Sequence, residues 1–254
     1  MTTKVPEKQP GREPAERLDE RLIKTSPLKK LMGRPELGSI VGALAVFVFF
    51  SVFADSFLRA SSLATVLYAS STLGIMAVPV ALLMIGGEFD LSAGVLVTSS
   101  ALVSSMFSYQ MTANTWVGVG VSLLVTLAIG AFNGFMLTRT KLPSFIITLG
   151  TFLMLTGMNL GFTKLISGTV STKSIADMEG FASAKDVFAS TLTVGGVDFK
   201  ITILWWLALV VVATWLLLRT RVGNWIFAVG GDVDSARAVG VPVNKTKIGL
   251  YMGV

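Results

Sequence analysis

The stretch GGEFDLSAG, residues 86–94, places two carboxylates, Glu88 and Asp90, at the end of a long apolar run. Acidic side chains in or beside a membrane span are candidates for binding protons or cations in coupled transporters. Burial of both together would raise the pKa of one of them. The sequence has no histidine and no cysteine, which excludes a disulfide, a Cys/His metal site and a Ser-His-Asp triad.

The elements that must position these acids are apolar runs long enough to cross the roughly 30 Å hydrocarbon layer of a membrane. Only 14% of the residues are charged, against about 25% in soluble domains. We therefore predict an all-α integral membrane protein, a polytopic helix bundle of six complete spans and the start of a seventh at Ile248. The complete spans are Leu37–Ala54, Leu63–Ile85, Leu91–Phe107, Trp116–Leu137, Ser144–Phe162 and Ile201–Leu218.

The Lys and Arg residues set the predicted orientation, because they accumulate on the cytoplasmic side of membranes. A cytoplasmic N-terminus places 16 of them inside and 5 outside. Residues 1–36 then form a charged, disordered cytoplasmic tail, and residues 37–254 form the transmembrane domain. The segment 163–200 is an external loop, and 219–247 is a cytoplasmic loop. Basic residues near anionic head groups also account for the pI of about 9.7 without any nucleic-acid partner.

The predicted spans hold little that could couple transport to an ion gradient. Spans one, four, five and six contain no Asp, Glu, Lys or Arg, and Glu88 and Asp90 lie at a boundary. We therefore expect a passive conduit whose energy comes from elsewhere. The chain lacks a GxxxxGK[ST] phosphate loop, so we expect no enzyme activity of its own.

If the fifth span is an α-helix, one of its faces is polar and the opposite face carries glycines. Thr148, Thr151 and Asn159 share the polar face, which would either line a hydrophilic pathway or bond to neighbouring helices. The opposite face carries Gly150, Gly157 and Gly161, and GMNLG (157–161) predicts close helix packing there. A second such motif, GAFNG (130–134) in the fourth span, predicts the same.

The segment GGDVDSARAVGVPV, residues 230–243, has the signals of one short cytoplasmic helix. Asp232 or Asp234 would cap its start, Arg237 falls toward its other end, and Gly240 with Pro242 would stop it. Such a helix either docks onto a partner or merely folds the loop.

Three stretches together resemble the permease subunit of bacterial ABC importers for sugars of the ribose, xylose and inositol type. They are GGEFDLSAG (86–94), FNGFMLTRTKLPSFIITLGTFLMLTGM (132–158) and FAVGGDVDSARAVGVPVNKTKI (227–248). Such permeases have about ten membrane helices. The resemblance therefore implies the N-terminal two-thirds to three-quarters of a permease, an incomplete domain.

The resemblance implies a permease in the bacterial inner membrane that imports a monosaccharide or polyol by alternating access. It implies a second permease copy, a cytoplasmic ABC ATPase that carries ATP and Mg, and an extracytoplasmic substrate-binding protein. No cofactor or metal is expected on this chain itself. The residues implied to couple to the ATPase are Gly230, Gly231, Asp232, Asp234, Ala236, Arg237, Gly240 and Pro242.

The resemblance also bears on the opening stretch, where the family's more frequent spelling, GG-x-DLS-x-G, has one residue fewer. Gly86 and Gly87 would end span two, and Asp90 or Ser92 would cap span three. A role of this corner at the inner mouth, in gating or ATPase contact, is the alternative. Glu88 has no evident structural explanation. Two rival functions stay open: an ABC permease for branched-chain amino acids or nucleosides, and a secondary transporter.

Overall fold

A computed structural model describes residues 36–111, 114–140 and 142–254. Apart from Glu36, the predicted tail of residues 1–36 lies outside the described residues. The described residues divide into two units, residues 36–58 and residues 59–254. The first unit contains helix α1, Glu36–Phe53, whose phenylalanines pack on one another and on Phe57.

The second unit is mostly helical, and its long helices are apolar. They are α2 (Ala60–Ile85), α3 (Ala93–Tyr109), α4 (Thr115–Arg139), α5 (Ser144–Ser167) and α7 (Thr202–Arg219). Four of the helices in the described residues, α2, α4, α5 and α7, are long and apolar enough to cross a membrane. The apolar part of α1 and the whole of α3 are shorter, about 25 Å at 1.5 Å per residue.

The predicted external loop contains regular structure, including one short hairpin within the mostly helical fold. Helix α5 runs to Ser167, and a short helix, α6 (Phe181–Phe188), follows. Strands β1 (Thr191–Val194) and β2 (Val197–Lys200) form an antiparallel hairpin around a Gly-Gly turn. The sequence TLTVGGVDFK carries the β-branched residues and turn glycines of a two-residue hairpin.

The predicted cytoplasmic loop is helical over most of its length. It contains α8 (Arg221–Gly231), the short α9 (Val233–Ala238) and the start of α10 (Val243–Gly253). The seventh apolar segment therefore begins as a helix five residues before the predicted Ile248. The Thr246 amide bonds to the Pro242 carbonyl at 3.0 Å, and proline suits the start of a helix because it has no amide to satisfy.

Helix α10 packs tightly against α4 through the predicted GAFNG motif. A Cβ atom at Gly134 would lie 2.6 Å from the Cα of Ile248. One at Gly130 would lie 2.9 Å from the Cα of Met252. Neither position has room for a larger side chain. The close packing predicted for residues 130–134 is confirmed, and it fixes α10 on α4.

Candidate functional site

The corner between α2 and α3 is a tight turn, defined here as residues 85–92. The Gly86 amide makes the last helical bond of α2, to the Leu82 carbonyl at 3.0 Å, and the Gly87 amide bonds to the Met84 carbonyl instead. Gly87 has a φ of +82°, a left-handed conformation that residues with a Cβ atom rarely adopt. The two glycines thus end the helix, as predicted, and turn the chain toward the start of α3.

Asp90 organises the first turn of α3. Its Oδ1 accepts hydrogen bonds of 2.6 Å from both the amide and the hydroxyl of Ser92. Asp90 is 5% exposed, and Ser92 is fully buried. This geometry agrees with the predicted helix-start role of Asp90. Among the described residues, its second oxygen, Oδ2, is buried without a hydrogen-bond partner.

A buried chain of polar side chains leads from Ser92 into the helix bundle. Asn133 in α4 donates from Nδ2 to the Ser92 hydroxyl at 3.0 Å. The Thr151 hydroxyl in α5 donates to Asn133 Oδ1 at 2.6 Å. Asn133 is fully buried and Thr151 is 3% exposed. The start of α3 is therefore joined to α4 and α5 by side chains that are distant in sequence.

The polar face of α5 makes contacts with protein. The Leu91 amide donates to the Thr148 hydroxyl at 3.2 Å, and Thr148 is fully buried. These bonds favour the helix-contact reading of Thr148 and Thr151 over the pathway reading. Asn159, further along the helix, is half-buried, and its part in a pathway stays a prediction.

The glycine face of α5 is open, contrary to the packing predicted for GMNLG. A Cβ atom built at Gly150, Gly157 or Gly161 would meet no atom of the described residues within 4 Å. The neighbouring side chains on this part of the helix are exposed and apolar, among them Leu153 and Met154. Nothing within the described chain covers this face.

Glu88 forms an ion pair with Lys247, which lies 159 residues away in the second turn of α10. The Glu88 side chain is 10% exposed and the Lys247 side chain is 14% exposed. Beside this pair, the Tyr251 hydroxyl donates to the Phe89 carbonyl at 3.1 Å. Sequence reasoning found no explanation for Glu88 because its partner is so remote along the chain.

Helix α9 begins at Asp232, one of the two caps that the sequence predicts. Asp232 Oδ1 accepts from the Ser235 amide at 2.6 Å. Hydrogen bonds from the side chain and backbone of Ser235 lower the pKa of the Asp232 carboxyl. Asp234 instead pairs with Arg237 at 3.3 Å, and both side chains are exposed.

Helix α9 ends in a Schellman motif. Gly240, with a φ of +83°, donates its amide to the Arg237 carbonyl at 3.0 Å. The Val241 amide reaches back to the Ala236 carbonyl at 3.0 Å. The Ala236 side chain is buried against Val229 and Val243. Residues of the same chain thus cap both ends of α9 by hydrogen bonds.

The opposite side of α9 is turned away from the protein. Val239 is 78% exposed, and Arg237 and Asp234 lie beside it with exposed side chains. This side of α9 and the residue after it therefore face solvent within the described chain.

The residues directly before α9 are in close contact with the corner. A Cβ atom at Gly230 would overlap the Ile85 carbonyl at the end of α2. Gly87 faces the same residue, and a Cβ atom there would lie 3.4 Å from the Cα of Gly230. Gly231, the next residue, has open space around it. Gly230 is therefore required for close approach.

No group of three or more metal-ligating His, Cys, Asp or Glu side chains occurs in the part of the chain that the structure describes. The site therefore consists of a tight corner, a buried polar network and a rigid exposed helix.

Comparison with known proteins decides which class of membrane protein carries this arrangement. Residues 62–254 match the family described as "Branched-chain amino acid transport system / permease component". The chain belongs to this permease family. The match contains the corner, α9 and the start of α10. The chain is accordingly a multi-pass protein of the bacterial cell membrane, to which its four long apolar helices correspond.

Several of the relatives that the chain matches are permease proteins of sugar import or transport systems. The chain is 30% identical to the ribose import permease protein of Escherichia coli strain K12, over 85% of the chain and 64% of that protein. It is 26% identical to the fructose import permease protein of Rhizobium meliloti, over 84% of the chain and 58% of that protein.

A third relative is the xylose transport system permease protein of Haemophilus influenzae, 24% identical over 84% of the chain and 70% of that protein. The chain thus spans about 64% of the length of the ribose permeases that it matches. No solved structure matches the chain.

Proposed function

We propose that the chain is the membrane-spanning permease subunit of an ATP-driven importer for a monosaccharide or a similar polyol. The observation that carries the proposal is α9, a short cytoplasmic helix closed at both ends and exposed on its outer side. We place ATP hydrolysis on another subunit. Helix α9, on the basic side of the predicted topology, is where such a subunit would push.

The partner that fits α9 is a cytoplasmic ABC ATPase, which would hold ATP and Mg. The residues that would meet it or hold α9 in place are the predicted coupling set. Arg237 and Asp234 lie on the exposed side, whereas Ala236 and the Asp232 and Gly240 caps keep α9 rigid. Closure of the ATPase would then move a preformed helix, so little of the binding energy would be lost in ordering it.

The topology proposed is six complete spans and the start of a seventh, with the N-terminus in the cytoplasm. The distribution of Lys and Arg supports this orientation. It puts α6 and the β1–β2 hairpin on the outer side, where an extracytoplasmic binding protein would deliver substrate. The open glycine face of α5 is available to lipid or to a second permease copy.

A sugar is the proposed substrate because the ribose, fructose and xylose permeases are relatives over most of this chain. Branched-chain amino acids are the second candidate, since they give the matching family its description. A secondary transporter is disfavoured because the long apolar helices of the described residues contain no buried charged side chain.

The test is uptake by proteoliposomes that contain the full permease, its ATPase and its binding protein. We expect labelled pentose or hexose to accumulate with ATP inside, and not with a non-hydrolysable ATP analogue. Accumulation of leucine instead would establish the amino-acid alternative. Uptake driven by a proton or sodium gradient without ATP would overturn the proposal.

A further inference from the structure

We propose that the corner of residues 85–92 transmits movement of α9 into the helix bundle, and that the Glu88–Lys247 ion pair is its positioning contact. The inference rests on the proposed function, because it needs a partner that moves α9 as ATP is hydrolysed. It assigns a role to an acidic residue that neither the motif nor the helix-capping chemistry explains.

The first argument is that the corner touches the chain on both sides of α9. Gly230, two residues before Asp232, presses its Cα against the end of α2, where a Cβ atom would overlap the Ile85 carbonyl. Lys247, in the second turn after Pro242, pairs with Glu88. Displacement of α9 therefore acts on the corner from two points, one steric and one electrostatic.

The second argument is the cost of the ion pair. Both side chains are nearly buried, at 10% and 14% exposure, and burial of two charges costs about as much solvation energy as their attraction returns. Such a pair is a poor way to gain stability over apolar packing. It does fix geometry, because either charge left alone in that position would be strongly unfavourable. Lys247 and Glu88 must therefore move together.

The third argument is that the corner continues directly into the bundle. From Asp90 the buried chain runs through Ser92 to Asn133 in α4 and then to Thr151 in α5. A shift of the corner therefore changes the hydrogen bonds that hold the start of α3 to two other long helices. Movement of α9 would thereby reach three of the long helices of the bundle.

Charge removal and charge exchange in the reconstituted importer test this role. The variants are E88Q, K247M and the exchanged pair E88K/K247E. The controls are E179Q and K185M, which change exposed charges in the predicted external loop. The measured quantity is the number of sugar molecules imported per ATP hydrolysed, which a loss of protein amount alone does not change.

We expect each single variant to lower this ratio about 5-fold or more, the range of ordinary coupling between sites. The exchanged pair should recover most of it, and the two controls should keep the wild-type ratio. Wild-type ratios in E88Q and K247M would overturn the inference while the proposed function stood. Absence of ATP-driven uptake by the unmodified importer would overturn both.

Cross-linking provides a second test, in which a covalent link replaces the ion pair. The chain has no native cysteine, so E88C/K247C can be joined by a short bifunctional thiol reagent. E88C/K247C lacks the ion pair, so we expect it to import fewer sugar molecules per ATP than the wild type. The cross-link should restore most of this ratio, because it holds the two positions together as the ion pair does. A cross-linked importer with a ratio as low as that of the unlinked variant would contradict the inference.

Discussion

The amide oxygen of Asn133 accepts a 2.6 Å hydrogen bond from the hydroxyl of Thr151. The amide nitrogen of the same asparagine donates to Ser92. One buried side chain in α4 thus holds α5 and the start of α3 together. It lies inside GAFNG, where the sequence predicts only close packing.

Replacement of Asn133 by leucine should therefore destabilise the protein. The change leaves the Ser92 and Thr151 hydroxyls without this partner in a buried site, which costs about 1–3 kcal/mol. Thermal unfolding of the detergent-purified protein measures this loss. Asn159→Leu, in a half-buried position of α5, is the control and should unfold close to the wild-type temperature. Equal unfolding temperatures for both variants would refute the bridging role.

Gly230→Ala should disturb the contact between α8 and the corner, because the new methyl group would overlap the Ile85 carbonyl. Overpacking of this kind costs on the order of 1–3 kcal/mol, and transport should fall with it. Gly231→Ala, one residue later and facing open space, should be neutral. Unfolding temperature and ATP-driven uptake are the two measurements. Similar behaviour of the two alanine variants would contradict the proposed close approach.

Gly134→Ala should separate α4 from α10, since its Cβ atom would lie 2.6 Å from the Ile248 backbone. We expect a loss of about 1–3 kcal/mol in unfolding free energy. Gly120→Ala in the same helix has nothing within 4 Å and should leave stability unchanged or slightly higher, because alanine favours helix. Denaturant unfolding in detergent would compare them. A stable Gly134→Ala variant would argue against the tight α4–α10 contact.

Two substitutions of Asp232 separate the effect of its helix-capping hydrogen bond from the effect of its negative charge. Asp232→Ala removes the acceptor of the Ser235 amide and should weaken ATPase binding, whereas Asp232→Asn keeps an acceptor at the cap and should retain binding. The pKa of the carboxyl is lowered from 3.8, so its contribution is present above that value and is lost as pH falls through the lowered pKa.

The lowered pKa of the Asp232 carboxyl predicts how stability depends on pH. Between pH 5 and pH 7 the difference in unfolding temperature between wild type and Asp232→Asn should stay constant. A difference that changes steadily over this range would show that the carboxyl titrates there and that the lowered pKa is wrong.

Much of this fold can be read from local sequence. The apolar runs predict the long helices because burial in lipid needs only composition and length. The stop at Gly86 and Gly87, the Asp232 cap and the Gly240 end follow from backbone rules that act within a few residues. The GAFNG contact is predicted for the same reason, since small residues permit close approach.

What the sequence could not supply are contacts between remote residues. The Glu88–Lys247 pair and the bonds from Asn133 join segments that only tertiary structure brings together. GMNLG has the same spacing as GAFNG, yet its glycines face open space. Small residues at this spacing allow a second helix to pack closely, but they do not determine whether a second helix lies there. The hairpin of residues 191–200 was missed because a long polar segment was interpreted as a loop.

The central claim is that α9 docks a separate ATPase, and co-purification tests it most directly. Val239, the residue directly after α9, is 78% exposed, and Val194 in the hairpin is 65% exposed, so the two are matched positions. We would replace each by aspartate in the tagged full-length protein, purify it in mild detergent and identify bound proteins by mass spectrometry. The account predicts a P-loop ATPase with the wild type and with Val194→Asp, and its loss with Val239→Asp. An ATPase retained by Val239→Asp, or absent from the wild type, would contradict it.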